Sequence, residues 1–559
     1  MTYVITQSCC NDTACVPVCP VNCIHPTPDE PGYATAEMLY IDPDSCIDCG
    51  ACVDVCPVSA ITADYELPEE LLPFQDLNAQ YFRDPAHQGY DVTPSKRPTA
   101  RWTAPPEQTL RVAVVGSGPA ASFAADELLS QRGLAVEVDM FERLTTPWGL
   151  VRFGVAPDHQ TTKSAAETFV RMSRRKGFRM FLNTEVGTDI GHDELRQRYH
   201  AVIYAVGAPG DRGLGIAGEH LPGSHSAKEF VAWYNGHPDH VDDHFDLSGE
   251  RAVVIGNGNV ALDVARVLLA DEASLRRTDI ADHALGQIVQ SSIREVVVVG
   301  RRGPAQAAFT TPELLGLQQV PGLSVVVKPE EVEVDPATMR VLAAKPESLA
   351  LYKAARLAEL DAEVPSSGPR IVMRFLRSPT EILGDDHVEG VRLVRNELVD
   401  DEHGGLVAVA GTEVEEIECG LVLRSVGYKG SPVPGLPFDA DRGVLPHLRG
   451  RVTDPRSAGV VPGVYTAGWI KRGPTGVIGT NKVDAIETVG SLLEDWTSGA
   501  LTAPRVTSDV AEILPHHVDL GGWRAIDAHE RATGKSLRRP RVKVVRLEEQ
   551  LEIARGGAS

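Results

Sequence analysis

From residue 111 onward the apolar positions change period in a regular way. In 111-RVAVVGSGPAASFAADELL-129 a β-branched run predicts a buried strand, glycines follow, and the remainder carries helical spacing. The next apolar run, 135-AVEVDMFE-142, predicts a second strand that ends in an acid. The same succession returns at 252-AVVIGNGNVALDVARVLL-269, where the following strand, 294-REVVVVGRR-302, ends in two arginines. Further on, 480-TNKVDAIETVGSLLEDW-496 has a helical pattern, with Thr480 as its expected N-cap behind the glycine-rich 473-GPTGVIG-479. Residues 62–108 hold seven prolines and no sustained period, which predicts a linker with room for one short helix in 67-LPEELLPFQDLNAQYF-82.

Strand, glycine turn, helix and strand together form a dinucleotide-binding unit. In the first copy Gly116 permits the tight turn, Gly118 lets a pyrophosphate approach the helix N-terminus, and Ala121 allows close packing on the sheet. Glu142 then stands where it can accept from a ribose hydroxyl. The second copy has Gly256, Gly258 and Ala261, but Arg301 and Arg302 occupy the ribose position. Two guanidiniums suit a 2′-phosphate. This opposite ribose chemistry predicts FAD at the first site and NADP(H) at the second.

The first 61 residues follow neither period and are organised around cysteine. Overlaying 8-SCCNDTACVPVCP-20 on 45-SCIDCGACVDVCP-57 places Cys9 on Cys46, Cys15 on Cys52 and Cys19 on Cys56, while Asp12 falls on Cys49. The second copy has the C-x2-C-x2-C-x3-C-P spacing of bacterial ferredoxins, in which the cysteine before proline reaches across to the other cluster. A structural zinc site would instead close one tetrahedron with two separated ligand pairs. The crossing rule assigns Cys46, Cys49, Cys52 and Cys19 to a complete [4Fe-4S] cluster, and Cys9, Cys15 and Cys56 to a second site with Asp12 at its fourth corner. A carboxylate is a harder ligand than a thiolate, so the second cluster is either [3Fe-4S] or an aspartate-ligated [4Fe-4S]. Cys10 and Cys23 are surplus and read as small buried thiols, although Cys10 remains open as a substitute for Cys9.

At 559 residues the chain requires several domains. All ten cysteines except Cys419 precede residue 57, which is not the distribution of a secreted disulfide framework. With no apolar run of membrane-spanning length and no basic-then-apolar leader, the expectation is a soluble cytoplasmic protein with no membrane insertion. The net charge is -23, and residues 1–61 carry six Asp and two Glu with no Lys or Arg. Such a balance excludes nucleic acid as a partner and suits docking of the first segment against a basic surface.

Residues 110–559 resemble the adrenodoxin reductase type of ferredoxin-NADP reductase. The resemblance rests on 147-PWGLVRFGVAPDH-159, 256-GNGNVALDVAR-266, 301-RRGPAQAAFTTPEL-314 and 468-GWIKRGPTGVIGTN-481. With the seven- or eight-iron ferredoxin-like segment in front, the whole chain resembles single-chain ferredoxin/ferredoxin-NADP reductase fusions. This implies an α/β reductase made of two Rossmann-like dinucleotide-binding domains, the NADP domain inserted in the FAD domain, plus a small α+β ferredoxin domain. The implied boundaries are 1–61 for the ferredoxin domain, 62–108 for the linker, 109–213 and 427–559 for the FAD domain, and 214–426 for the NADP domain. The resemblance also implies Glu142, Leu150, Val186 and Trp469 on FAD, with the backbone of Gly476, Val477 and Ile478 against the flavin ring. For NADP it implies Arg212, the turn Gly256, Asn257, Gly258, Asn259 and Val260, then Arg301, Arg302 and Glu313. His159 and Glu313 are the titratable groups implied beside the reacting rings, and family members often carry a second carboxylate at the position of Gly316. The implied function is NADPH-dependent electron transfer through FAD and the clusters to an external redox partner, such as a P450 or another ferredoxin, by a monomer. Two other readings stay open here: a reductase module of a larger complex, as in the small subunit of glutamate synthase, and an iron-sulfur sensor gating a flavoenzyme.

Overall fold

The computed structural model describes residues 1–93, 102, 109–344, 348–360, 368–401, 405–457 and 459–556. Its first body is the cysteine module, framed by two short antiparallel ribbons, Tyr3–Ile5 with Ile61–Ala63 and Ile24–His25 with Tyr40–Ile41. So few backbone pairs cannot close a core, and the stretch read as a linker supplies the difference. Its helix Pro73–Arg83 turns Phe74, Leu77 and Tyr81 into the module, where all three are buried. Asn78 in the same helix is buried and fully used. Its side-chain oxygen accepts from the N–H groups of Ile5 (3.3 Å) and Ile41 (2.9 Å), and its amide donates to the carbonyls of Ile5 (2.8 Å) and Phe74 (2.7 Å). One polar residue thus joins both ribbons to the helix, a role that periodicity does not announce. Residues 94–101 and 103–108 of the expected linker lie outside the described residues.

A seven-stranded sheet forms the second body, in the order 447–448, 451–454, 459–466, 201–204, 109–115, 135–141 and 178–181. From 459–466 onward the strands are parallel, and Val464 is registered against Val202. The chain therefore leaves this sheet after Tyr204 and returns to the neighbouring position more than two hundred residues later. The excursion contains a six-stranded, wholly parallel sheet in the order 224–226, 421–424, 251–255, 295–299, 370–374 and 324–327. Parallel strands are covered on both faces and so carry unbroken apolar runs, as in Glu295–Val299, where all five residues are buried. A three-stranded antiparallel sheet (377–383, 390–400, 406–418) is appended to this second domain. Two Rossmann-like sheets, one inserted in the other, match the expected fold class. Among the described residues no helix is long and apolar enough to cross a membrane.

Replacing Asn78 by Ala is expected to destabilise the cysteine module by about 2–4 kcal/mol, since several buried backbone groups lose their partner at once. Urea unfolding of the intact protein followed by circular dichroism tests this, and an unchanged first transition would contradict it.

Candidate functional site

Two cavities open in the cysteine module. One is lined by Cys19, Cys46, Cys49 and Cys52, with Cys23 beside them. The other is lined by Cys9, Asp12, Cys15 and Cys56, with Cys10 beside them. Each half of the duplication thus lends one cysteine, Cys19 or Cys56, to the cavity of the other. Equivalent backbone bonds hold these two crossing sulfurs: Cys23 N–H donates to Cys19 Sγ at 3.3 Å, and Ala60 N–H to Cys56 Sγ at 3.2 Å. Cys23 also has a use of its own, because its thiol lies 3.4 Å from Cys19 Sγ. Hydrogen bonding from Cys23 brings the Cys46 thiol down to about 5 and the Cys19 thiol to about 6. Burial pushes Cys9 and Cys52 up to about 12. Four converging soft donors, or three and a carboxylate, amid Ile5, Leu39 and Ile61 or Ile24 and Ile41, are a donor set suited to iron and sulfide. Asp12 itself is drawn two ways. Its Oδ1 accepts from Ala14 N–H at 3.2 Å and its Oδ2 lies 3.8 Å from Lys482 Nζ, while burial raises its pKa against the pull of that lysine.

At the first nucleotide turn Gly116 has φ +100°, and a Cβ there would sit 2.5 Å from the Ala205 carbonyl oxygen, so no other residue fits. Gly118 caps helix Pro119–Leu129 with no side chain on its first N–H groups, and Ala121 is fully buried behind it. The helix N-terminus is left open to an anion. The Glu142 carboxylate is fixed by Ser117 Oγ (2.6 Å) and Leu144 N–H (3.1 Å). Leu150 is exposed on a turn whose Gly149 lies against Gly118, and Val186 is half-buried in a neighbouring loop. Trp469 donates from its indole to the Thr475 carbonyl at 3.1 Å. The helix after this loop spans Thr480–Thr497 and its N-cap is Gly479, which corrects the expectation for Thr480. The Thr480 hydroxyl donates back to the Val477 carbonyl at 2.7 Å, which commits the side chain inside the helix.

The second turn repeats the first. Gly256 has φ +113°, with the Ser425 carbonyl occupying the space of a Cβ, and Gly258 caps helix Asn259–Leu269 without a side chain. Asn257 and Asn259 tie the turn to the loop before the next helix: Oδ1 of Asn257 accepts from Ala308 N–H at 3.4 Å, and Oδ1 of Asn259 from Thr310 N–H at 2.8 Å. Val260 is half-buried behind them. Arg301 and Arg302 are exposed just past strand Glu295–Val299, and among the described residues no hydrogen bond or ion pair holds either guanidinium. The partly desolvated stem of Arg302 and the neighbouring positive charge of Arg301 both depress the Arg302 pKa. Arg212 is exposed nearby in sequence to the return crossing, its N–H bonded to the Gly427 carbonyl at 3.2 Å.

Between the two turns lies a buried charge cluster centred on Arg266. Its guanidinium donates to Asp158 and Glu313, both at 2.6 Å, to Asp263 at 2.5 Å, and to Nε2 of His159 at 2.9 Å. Arginine only donates, so His159 accepts through Nε2. Burial raises the Asp263 pKa to about 6. His159 and Glu313 are thus brought together, 3.8 Å apart, but the residue organising them was not singled out from the sequence. The i, i+3 spacing of Asp263 and Arg266 was visible, but not that this face of the helix is turned inward.

The cysteine module closes over the same region. Gly479 N–H donates to the Cys10 carbonyl at 2.6 Å, and a Cβ on Gly479 would overlap the Asn11–Asp12 peptide. Lys482 Nζ donates to the Asp12 carbonyl at 3.0 Å. Glu37 accepts from Thr311 N–H and Lys353 Nζ, both at 2.7 Å. Gln7 donates to Glu313 at 3.4 Å and fills the space a side chain on Gly316 would need. Ile478 packs against the cores of both the first sheet and the cysteine module, while Gly476 is exposed and Val477 half-buried in the same loop.

Residues 39–62 match the model of the 4Fe-4S binding domain, and residues 110–302 that of the pyridine nucleotide-disulphide oxidoreductases. A probable ferredoxin/ferredoxin–NADP reductase of Mycobacterium tuberculosis (strain H37Rv) is 49% identical over 99% of this chain and 95% of its own length. One from Mycobacterium leprae is 48% identical over 100% of this chain and 98% of its own. The chain belongs to the ferredoxin/ferredoxin–NADP reductase family. The solved structure of Mycobacterium tuberculosis FprA in complex with NADPH superposes with a TM-score of 0.75 at 48% identity, covering 80% of this chain and all (100%) of FprA. In family terms, the loop 476–479 belongs to the reductase and the peptide on top of it to the ferredoxin domain.

Asp263 has an ordinary value of 3.8 and a folded value near 6, so between those pH values the folded reductase holds a proton that the unfolded chain has released. Stability therefore falls as pH rises through that window. Asp263→Asn is expected to flatten this fall and to raise stability relative to the unaltered protein at pH 7. Urea midpoints at pH 5 and 7 check it, and parallel pH profiles for the two proteins would refute it.

Proposed function

We propose that this chain carries out NADPH-dependent electron transfer with its ferredoxin built in. The observation that carries this reading is the contact of the ferredoxin peptide Cys10–Asp12 with the reductase loop at Gly479, between two nucleotide turns of opposite ribose chemistry. Bound at the first turn, FAD supplies the exchange of a hydride from NADPH for single electrons that pass to the clusters.

The residues of the chain have the following parts. Glu142, held by Ser117 and Leu144, keeps both carboxylate oxygens in place to receive a ribose hydroxyl at the FAD site. The uncapped helix starts at Gly118 and Gly258 face the two pyrophosphates. Arg301 and Arg302 hold the 2′-phosphate, with Arg212 on the same ligand. Leu150, Val186 and Trp469 would bound the FAD pocket and the Gly476–Ile478 backbone would support the flavin, where the start of helix Thr480–Thr497 would favour added negative charge. His159 and Glu313, fixed by Arg266, set the floor on which the reacting rings meet, and positioning is most of what hydride transfer between bound cofactors requires. Cys19, Cys46, Cys49 and Cys52 hold a [4Fe-4S] cluster, while Cys9, Cys15 and Cys56 hold a [3Fe-4S] cluster. A three-iron form of the second cluster is favoured by the partners Asp12 already has, Ala14 N–H at 3.2 Å and Lys482 Nζ at 3.8 Å, which would compete with a fourth iron for its carboxylate. The electrons go on to an external acceptor protein, such as a P450 or another ferredoxin. We infer a cytoplasmic monomer, since the thiols require a reducing compartment and the first redox partner is already in the chain.

Arg301→Ala/Arg302→Ala is expected to raise KM for NADPH by about 10- to 100-fold while leaving that for NADH nearly unchanged, because the two exposed guanidiniums together contribute about 1.4–2.7 kcal/mol to a phosphate. Equal losses for both nucleotides would remove the 2′-phosphate assignment. Asp12→Cys is expected to abolish the electron paramagnetic resonance signal of an oxidised three-iron cluster and raise iron content to that of two four-iron clusters. If spectrum and iron content stay as they were, Asp12 is not at a cluster corner.

A further inference from the structure

The ferredoxin domain is duplicated, and only one of its two equivalent faces meets the reductase. At the occupied face the Asn11–Asp12 peptide rests on Gly479, the Cys10 carbonyl accepts from Gly479 N–H, and Cys10 is 3% exposed. The duplication puts Ile47 at the position of Cys10, and Asp48–Cys49 at that of Asn11–Asp12. There the surroundings are reversed. Cys49 is exposed at the mouth of its cavity, Ile47 is 58% exposed, and Val53 and Tyr65 are 37% and 63% exposed. Among the described residues no hydrogen bond or ion pair joins Ile47, Asp48 or Cys49 to the reductase.

Charge points to what this second face receives. Residues 1–61 carry no Lys or Arg, and the occupied face is met by Lys482 and Lys353 of the reductase. On the free side Tyr3 and Ile47 line the cavity with Cys49, Glu66 and the half-buried Asp48 lie close to Tyr3, and the exposed Asp54 follows the exposed Val53 on helix Ala51–Val55, so apolar groups stand beside acidic ones. We propose that the two faces are an entry and an exit: electrons pass from the reductase to the Asp12 site, cross to the Cys49 site, and leave there to a soluble acceptor protein with a basic docking surface. This rests on the reading of the two cysteine sets as clusters. One NADPH releases a proton and two electrons, and each acceptor takes one. NADPH and two oxidised acceptors therefore give NADP+, a proton and two reduced acceptors.

Oxidised cytochrome c, a small basic haem protein, is a suitable probe. Asp54→Lys/Glu66→Lys is expected to lower kcat/KM for NADPH-driven cytochrome c reduction about tenfold at low ionic strength, with the gap closing as salt is added. The NADPH-induced change in the variant's own cluster signals, read by electron paramagnetic resonance, should remain that of the unaltered protein. Cys49→Ala should keep the NADPH response of the Asp12 site and lose most cytochrome c reduction. An unaffected cytochrome c rate in the charge-reversed protein, or in the Cys49 variant, overturns the exit. If NADPH leaves both cluster signals of the unaltered protein unchanged, the relay itself falls and takes the exit with it.

Discussion

The close approach of two backbones at Gly479 is the constraint on which the rest of the molecule depends. Electrons can pass between domains only where little protein stands between them, and here the reductase offers a position without a side chain. The Asn11–Asp12 peptide lies in the space a Cβ would take. Glycine is therefore required at 479 by its neighbour in space, and not by its own φ, which is an ordinary helical value. Ile478 secures the contact from beside it by packing into both cores. Tethering the two partners in one chain raises their effective concentration to roughly millimolar.

The same junction holds one of the protein's charge clusters, built on the buried Arg266 and Glu313. Arg266 belongs to the second nucleotide domain, Asp158 and His159 to the first, and Gln7 reaches Glu313 from the ferredoxin domain. Such a network gains little net stability, because desolvating its charges offsets most of their attraction. What it does achieve is register. Residues of all three bodies meet around Arg266 and Glu313, so the docking of the ferredoxin domain and the packing of the two nucleotide domains are parts of a single arrangement. Gly316 fits this picture, since a side chain there would displace Gln7.

Much of this protein was legible in one dimension, because the features involved are local. Strand and helix periods around Gly116 and Gly256 specify two dinucleotide folds, since the pleat and the turn impose their own spacing. Ligand spacing specifies the crossing of Cys19 and Cys56, since a short x2 loop can close only around one centre. The acid at 142 and the arginines at 301 and 302 set the two strand ends apart by charge, which is legible without any fold. Helix Pro73–Arg83 was legible as a helix but not as a wall of the cysteine module, because an apolar face does not name what covers it.

Tertiary structure alone decided which groups meet across domains. Arg266 is one arginine among many until packing turns it inward, and Gln7, Glu37 and Lys482 reach their partners across the junction only when the ferredoxin domain docks. The cysteine pattern does not say whether the Asp12 loop or the Cys49 loop meets the reductase, since the two halves are near copies. The asymmetry between Asp12 and Cys49 was present in the sequence from the start. Its meaning as inside and outside came from the docking, because a contact between distant segments depends on the shapes of both surfaces and leaves no period in either.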